Sequence, residues 1–514
     1  MANDEADSSQ DSPANSQPLI DTSHALRHSG APPPSFTLLS TSMTRLATRT
    51  ASSPETSIWR DIPEVVFRSH LVELEKRTNA VPLDAQVFPL PETGSKIAGK
   101  YVLPVHVEQQ LADDFAFLSA VDEGAQSVAA ACIEERASEG RITVRFASLD
   151  GVGGEGVVRA LEEIGEALTV SSHPQDDSTP CPSRSEAQQR KNDQTTALFT
   201  HILHLHTLRL LARLRSQKWS KPKYLSKQHK KPLFRDFANL LHRVQFLYAK
   251  REAQNRRVVE TLVEALSTIY TNFETTAPSS SDEFDALKEL VSASYDFCLD
   301  VRIREFVERL ERSVSNSTPT SQVASTIKTV RQIEKIGAYL RIAKALVETS
   351  RAYPELFRRK PGLEFLTPYQ PVPTEIAYEE WAKSCHVHAE VTMVVFYELR
   401  AQRTRDEGEG ERKEPRVMGT SKYHCYLCYL FLKHQGRFPP VNTHGRLYDQ
   451  WTIPDLEEYG MEVRERMREV VRKVDAEVVR ETVDLGGGEA EVRWRAEPMT
   501  SRQNLLLWEE GGGV

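Results

Sequence analysis

Apolar residues recur three and four positions apart over long stretches of the middle of the chain, the period of an amphipathic helix. The spacing predicts helices over 198–215, 233–273, 284–312 and 321–350, and a Pro-Ser-Ser-Ser-Asp run at 278–282 separates the second from the third. One more is expected near the end, where Val463, Met467, Val470, Val471, Val474 and Val478 mark one side with Arg and Glu opposite. Upstream the pattern is mixed: 105–135 reads as helical, 142–148 as a strand, and 157–168 as an amphipathic helix. Residues 1 to about 53 are rich in Ser, Thr, Pro and Ala, too poor in large apolar side chains to fold. The polar stretch 171–193, with Pro174, Pro180 and Pro182, reads as a linker.

The expected organisation is therefore a disordered tail (1–55), a small α+β or helical region (56–172), a linker (173–195), a helical domain (196–352), a mixed region (353–484) and a C-terminal tail (485–514). Within the mixed region, 391–403 predicts a mostly buried helix, 406–415 a charged loop, 417–421 a short strand, and a second helix follows from Cys425.

Composition narrows the class. Of 514 residues, 39% are hydrophobic and 27% charged, ordinary for globular domains with sizeable cores. No run approaches the length of a membrane span, and Met1-Ala2-Asn3-Asp4-Glu5 has neither the basic start nor the apolar stretch of a secretory signal. Six cysteines in so long a chain do not form a disulfide framework, so an intracellular location, cytoplasmic or nuclear, is expected. The net charge of −8 argues against a generally basic surface. Locally, however, 209–235 holds ten basic residues and no acidic one, with Trp219 and Tyr224 among Lys218, Lys221, Lys223 and Lys227. Such a stretch can hold phosphates while its rings stack on bases; a solvated loop or a nuclear-import signal fits it as well.

The candidate chemistry lies between His388 and Cys428. His388-Ala389-Glu390 is followed by Cys425-Tyr426-Leu427-Cys428. Zinc held by an imidazole and two thiolates keeps a fourth position for water, and a carboxylate beside it can take that water's proton. With fifteen His, an H-x-E triplet arises about once by chance, whereas six cysteines give a C-x-x-C in roughly one such chain in twenty. Three other readings of the pair stand beside the open site. They are a structural knuckle of Cys425, Cys428, His434 and His444, a redox dithiol, and ordinary core cysteines.

Together with His388-Ala389-Glu390, the run Ser421-Lys422-Tyr423-His424-Cys425-Tyr426-Leu427-Cys428, then Thr443-His444-Gly445-Arg446-Leu447-Tyr448 and Trp451, resembles the fungal OTT-type deaminase-like proteins of the cytidine-deaminase-like superfamily. The resemblance covers roughly 361–484. It implies an α/β chain whose C-terminal domain, 353–484, is a three-layer α/β/α cytidine-deaminase-like fold, preceded by a mostly helical region and a disordered N-terminus. It further implies one Zn2+ on His388, Cys425 and Cys428, with Glu390 shuttling protons. The expected reaction is hydrolytic deamination of a cytosine- or adenine-type base in a nucleotide or nucleic acid. His444, Tyr448 and Trp451 are candidates for the pocket wall, because a flat ring needs a stacking surface and a polar edge contact. The alternative is a non-catalytic, zinc-stabilised module of the same fold that binds nucleic acid or protein. One position departs from the superfamily pattern: His424 stands where Pro precedes the first cysteine.

Two further features invite function. Gly151 to Gly156 fits G-x-G-x-x-G between a strand and a helix. The expected acidic residue would fall in the Pro-rich linker, however, so a Gly-rich turn into the helix is the better reading. His201, His204 and His206 share one predicted helix, but only the first two share a face, which favours packing over metal.

Overall fold

The computed structural model describes residues 55–90, 101–122, 127–173, 183–220, 231–278, 280–313, 320–407 and 413–484, with a few isolated residues besides. It is mixed α/β. Most of both expected tails, and the three prolines of the expected linker, lie outside the described residues. Two tail segments within them are structured: β1 (Met43–Thr44) pairs with a strand far downstream, and Leu505 is buried in the larger core.

Helix α1 (Glu64–Thr78), strand β2 (Gln86–Val87) and helix α2 (Val105–Ser119) lead into an antiparallel hairpin, β3 (Ala129–Arg136) and β4 (Arg141–Ser148). The helix expected to reach residue 135 thus ends at Ser119. Ala129-Ala130-Ala131-Cys132-Ile133-Glu134-Glu135 favours helix locally, but pairing with neighbours on both sides overrides that preference. Its two glutamates are buried with partners. Glu135 accepts from the Val102 and Leu103 amides at 2.8 and 2.9 Å, and Glu134 from the Tyr397 hydroxyl at 2.7 Å.

A Gly-rich turn, with Gly151 at φ +88°, then enters α3 (Glu155–Ser172), as read from the sequence. The following helices are α4 (Arg184–Leu214), α5 (Phe237–Leu247), α6 (Ala253–Thr275), α7 (Ser281–Leu299), α8 (Val301–Arg312) and α9 (Ser321–Ala352). The expected linker is shorter than its composition implied. Ser183 and Glu186 form a capping box that starts α4 at residue 184, and polar residues make its exposed first turns. Two expected helices are each divided. The stretch 233–273 breaks between α5 and α6, and 284–312 breaks at Asp300, whose carboxylate caps α8 by accepting from the Arg302 amide at 2.9 Å.

After β5 (Gly362–Leu366), β6 (Val372–Pro373) and β7 (Ser384–Val387) come α10 (Ala389–Glu407), β8 (Gly419–Thr420) and α11 (Tyr426–Gln435). Strands β9 (Asn442–Thr443) and β10 (Trp451–Thr452) precede α12 (Met461–Asp484). The main sheet runs β1-β5-β4-β3-β8, with β10-β7-β6 and β2-β9 forming smaller ones. Because β4 and β5 are parallel neighbours, all of 155–352 is the crossover between them. The sheet joins segments that the sequence places far apart, 129–148 with 362–366 and 419–420.

Alternate strand residues face opposite ways, so each side of the sheet carries its own core. Ala131, Ile133, Ile142, Val144, Phe146 and Phe365 pack under α2 and the crossover helices. Ala130, Cys132, Ala147 and Leu366 pack under α1, α10, α11 and α12. Helices therefore cover both faces. On the second face Arg145 pairs with Glu134 at 3.3 Å and Glu364 at 2.5 Å beneath the Phe396 ring, which accounts for a charge inside a strand. Strand β8 can lie against α2 only because residue 419 is glycine: a Cβ there would collide with the Ala112–Asp113 backbone. No helix among the described residues is long and apolar enough to cross a membrane.

Candidate metal centre

His388 is the last residue before α10 and its carbonyl accepts from the Thr392 amide at 2.9 Å. Cys425 is the N-cap of α11, its sulfur accepting from the Cys428 amide at 3.3 Å. Each half of the motif thus opens a helix, where unpaired amides and the positive dipole end favour thiolate. The two halves meet: His388 Nδ1 lies 3.6 Å from Cys425 Sγ and 3.5 Å from Cys428 Sγ. An imidazole nitrogen and a thiolate bound to one tetrahedral zinc are about 3.5 Å apart, so the donors already have the spacing of a zinc site. Both cysteines are buried and free, and His388 is half-buried.

Among the described residues this is the group of His, Cys, Asp and Glu that converges in this way. Neither His434 nor His444 belongs to it. His434 turns away, its Nε2 2.6 Å from Glu477 on α12, so the knuckle set is not assembled. The other histidines singled out are engaged elsewhere: His206 is buried between Phe117 and Tyr339, His204 stacks on Phe284 at 4.0 Å, and His201 faces Glu163 at 3.6 Å.

Glu390, in the first turn of α10, is buried beside the cluster but not in it. Burial disfavours its charge, yet the imidazole of His424 against it, with His388 adding to the effect, holds the carboxyl down to about 2. At Cys425 burial likewise opposes the thiolate, and the Cys428 contact and His388 overcome it, so that thiol is lowered.

Of the expected pocket residues, His444 and Tyr448 lie near the cluster, the first half-buried and the second exposed. Burial pulls the His444 imidazole down to about 4, so it is neutral near pH 7. Its Nδ1 accepts from the Arg446 amide at 3.1 Å, which leaves Nε2 as the protonated nitrogen. Tyr448 is 39% exposed, with its ring 6.0 Å from His444 and 6.4 Å from His388. Gly445, at φ +73°, allows this segment to run close under the Leu83 carbonyl.

Trp451 corrects the sequence expectation. It is fully buried on β10, packed between Phe67 and Phe431, and cannot stack on a substrate. Burial, with Cys425 and Glu390 adding to it, pushes the Cys428 thiol well up, and the Trp451 indole only opposes that shift. Lys218 departs similarly. Its side chain is 6% exposed, its ammonium pairs with Glu283 at 3.2 Å and lies over the Phe273 ring, so it is spent on packing and not presented to phosphate. Lys221, Lys223 and Lys227 lie outside the described residues. Sequence reasoning passed over the contact between His424 and Glu390, although His424 was visible as a substitution for Pro.

Residues 387–455 match a family described as OTT_1508_deam, a "-like deaminase". That segment holds His388, Cys425 and Cys428, and the OTT-type deaminase-like resemblance drawn from its motifs holds there. No curated protein and no solved structure matches the chain.

Proposed function

We propose that this protein is a zinc-dependent hydrolytic deaminase of a cytosine- or adenine-type base carried in a nucleotide or nucleic acid. Helices on both faces of the sheet support reading it as a three-layer cytidine-deaminase-like fold, with 353–484 completed by β3 and β4. The observation that carries the proposal is one imidazole and two thiols at zinc spacing with a carboxylate beside them.

His388, Cys425 and Cys428 would hold the metal, and two thiolates balance its charge. Zinc bound there supplies a Lewis acid that makes water a nucleophile at neutral pH. Glu390, outside the ligand set, takes one proton from the attacking water and delivers it to the ring nitrogen, then moves the second, from the hydroxyl left on the carbon, to the amine as the C–N bond breaks and ammonia departs. His444 presents Nε2–H to a polar edge of the base, and Tyr448 offers a face for stacking. Purified protein should contain one zinc and release ammonia from at least one base when cytosine and adenine substrates are offered free and in single strands. Stoichiometric zinc without ammonia from any of them would instead select the non-catalytic module.

A further inference from the structure

A carboxylate that moves protons between water and substrate must be held in place, and His424 is positioned to do so. Its Nδ1 lies 3.2 Å from Glu390 Oε1, with both side chains closed off from solvent. At that distance one of the two atoms must carry the hydrogen, and Nδ1–H of a neutral or charged imidazole is the donor that pairs with a carboxylate oxygen. The His424 main chain is fixed at both its N–H and its C=O. Its amide donates to Asn442 Oδ1 at 3.1 Å, and its carbonyl accepts from the Thr443 hydroxyl and the His444 amide, both at 3.0 Å. The next residue is Cys425. One clamped segment therefore carries both a sulfur of the metal cluster and the group that touches Glu390. Proline, the residue of the wider pattern at this position, has no side-chain hydrogen to donate.

We propose that His424 is a positioning residue for Glu390: Nδ1–H donates to Oε1, fixes the carboxylate relative to Cys425, and leaves Oε2 to exchange protons. The contact stands on geometry alone; its catalytic consequence rests on the deaminase reading.

The test uses the full-length zinc-loaded protein. His424→Leu should keep zinc and KM while kcat falls by about 10- to 100-fold, the scale of a small misplacement of a reacting group. His424→Asn, whose amide NH2 falls near the position of Nδ1, should recover most of that loss; His424→Gln, whose amide reaches further, should not. Independently of turnover, nitrogen NMR of the wild-type imidazole should show the Nδ1–H tautomer, with a resonance that shifts in Glu390→Ala. An Nε2–H tautomer, a resonance indifferent to Glu390→Ala, or a wild-type kcat in His424→Leu would overturn the proposal. Failure of the deaminase reading is seen separately, as no ammonia from the wild type. In that event the imidazole spectrum, which needs no folded variant of His424, decides whether the contact exists.

Discussion

His388 and Cys428 are forty residues apart in sequence, yet Nδ1 of one lies 3.5 Å from Sγ of the other. Nothing covalent holds them there. Two helix N-termini, each anchored in the core on one face of the sheet, bring them together. His388→Ala, Cys425→Ser and Cys428→Ser should therefore each lose the zinc, while His434→Ala should keep it. Metal analysis of the purified variants checks this, and loss of zinc from His434→Ala with retention in His388→Ala would select the knuckle.

Trp451 belongs to the core beneath the ligands, so its loss should appear as instability before it appears in substrate binding. Trp451→Ala should cost about 3–5 kcal/mol, the range for removing a large buried aromatic side chain. Urea denaturation measures it. A variant of unchanged stability with a raised KM would return Trp451 to the pocket wall.

The helical insertion and the site helices were largely legible, because long runs of apolar residues at helical spacing leave few alternatives. Strand β3 was not, since alanine and glutamate favour helix and only pairing with β4 and with β8, from residue 419, decides otherwise. The break at Asp300 was equally hidden: a single capping carboxylate interrupts a period that continues on either side. At the site, the motifs identified the residues that converge. Spacing could not tell which neighbours lie above the ligands and which below, so Tyr448 and Trp451, three residues apart, received one role although only Tyr448 faces solvent. Lys218 was misread for a related reason, its charge being visible in sequence and its partner Glu283 not.

Glu75 on α1 gives a pH dependence. Burial, reinforced by Asp449 and Glu379 and opposed by Arg446, raises its carboxyl to about 8 from an ordinary 4.5. Between those values the folded protein holds a proton that the unfolded chain has released, so stability falls as pH rises through the window. Glu75→Gln should flatten that slope and raise stability near pH 8. Urea midpoints at pH 5 and pH 8 for wild type and variant test it, and an unchanged slope would remove Glu75 as its source.

In the proposed reaction this chain's own carboxylate, Glu390, carries the protons. Glu390 is beside the metal cluster, not in it, so Glu390→Ala and Glu390→Gln should keep one zinc and the wild-type melting temperature. General acid–base assistance is worth about 10²- to 10⁴-fold, and in the proposed mechanism Glu390 serves more than one step. Ammonia release from a substrate that the wild type accepts should accordingly fall by at least about 100-fold. Ammonia release by zinc-replete Glu390→Ala beside wild type decides it: near-complete loss is expected, and a near wild-type rate would remove Glu390 as the proton carrier.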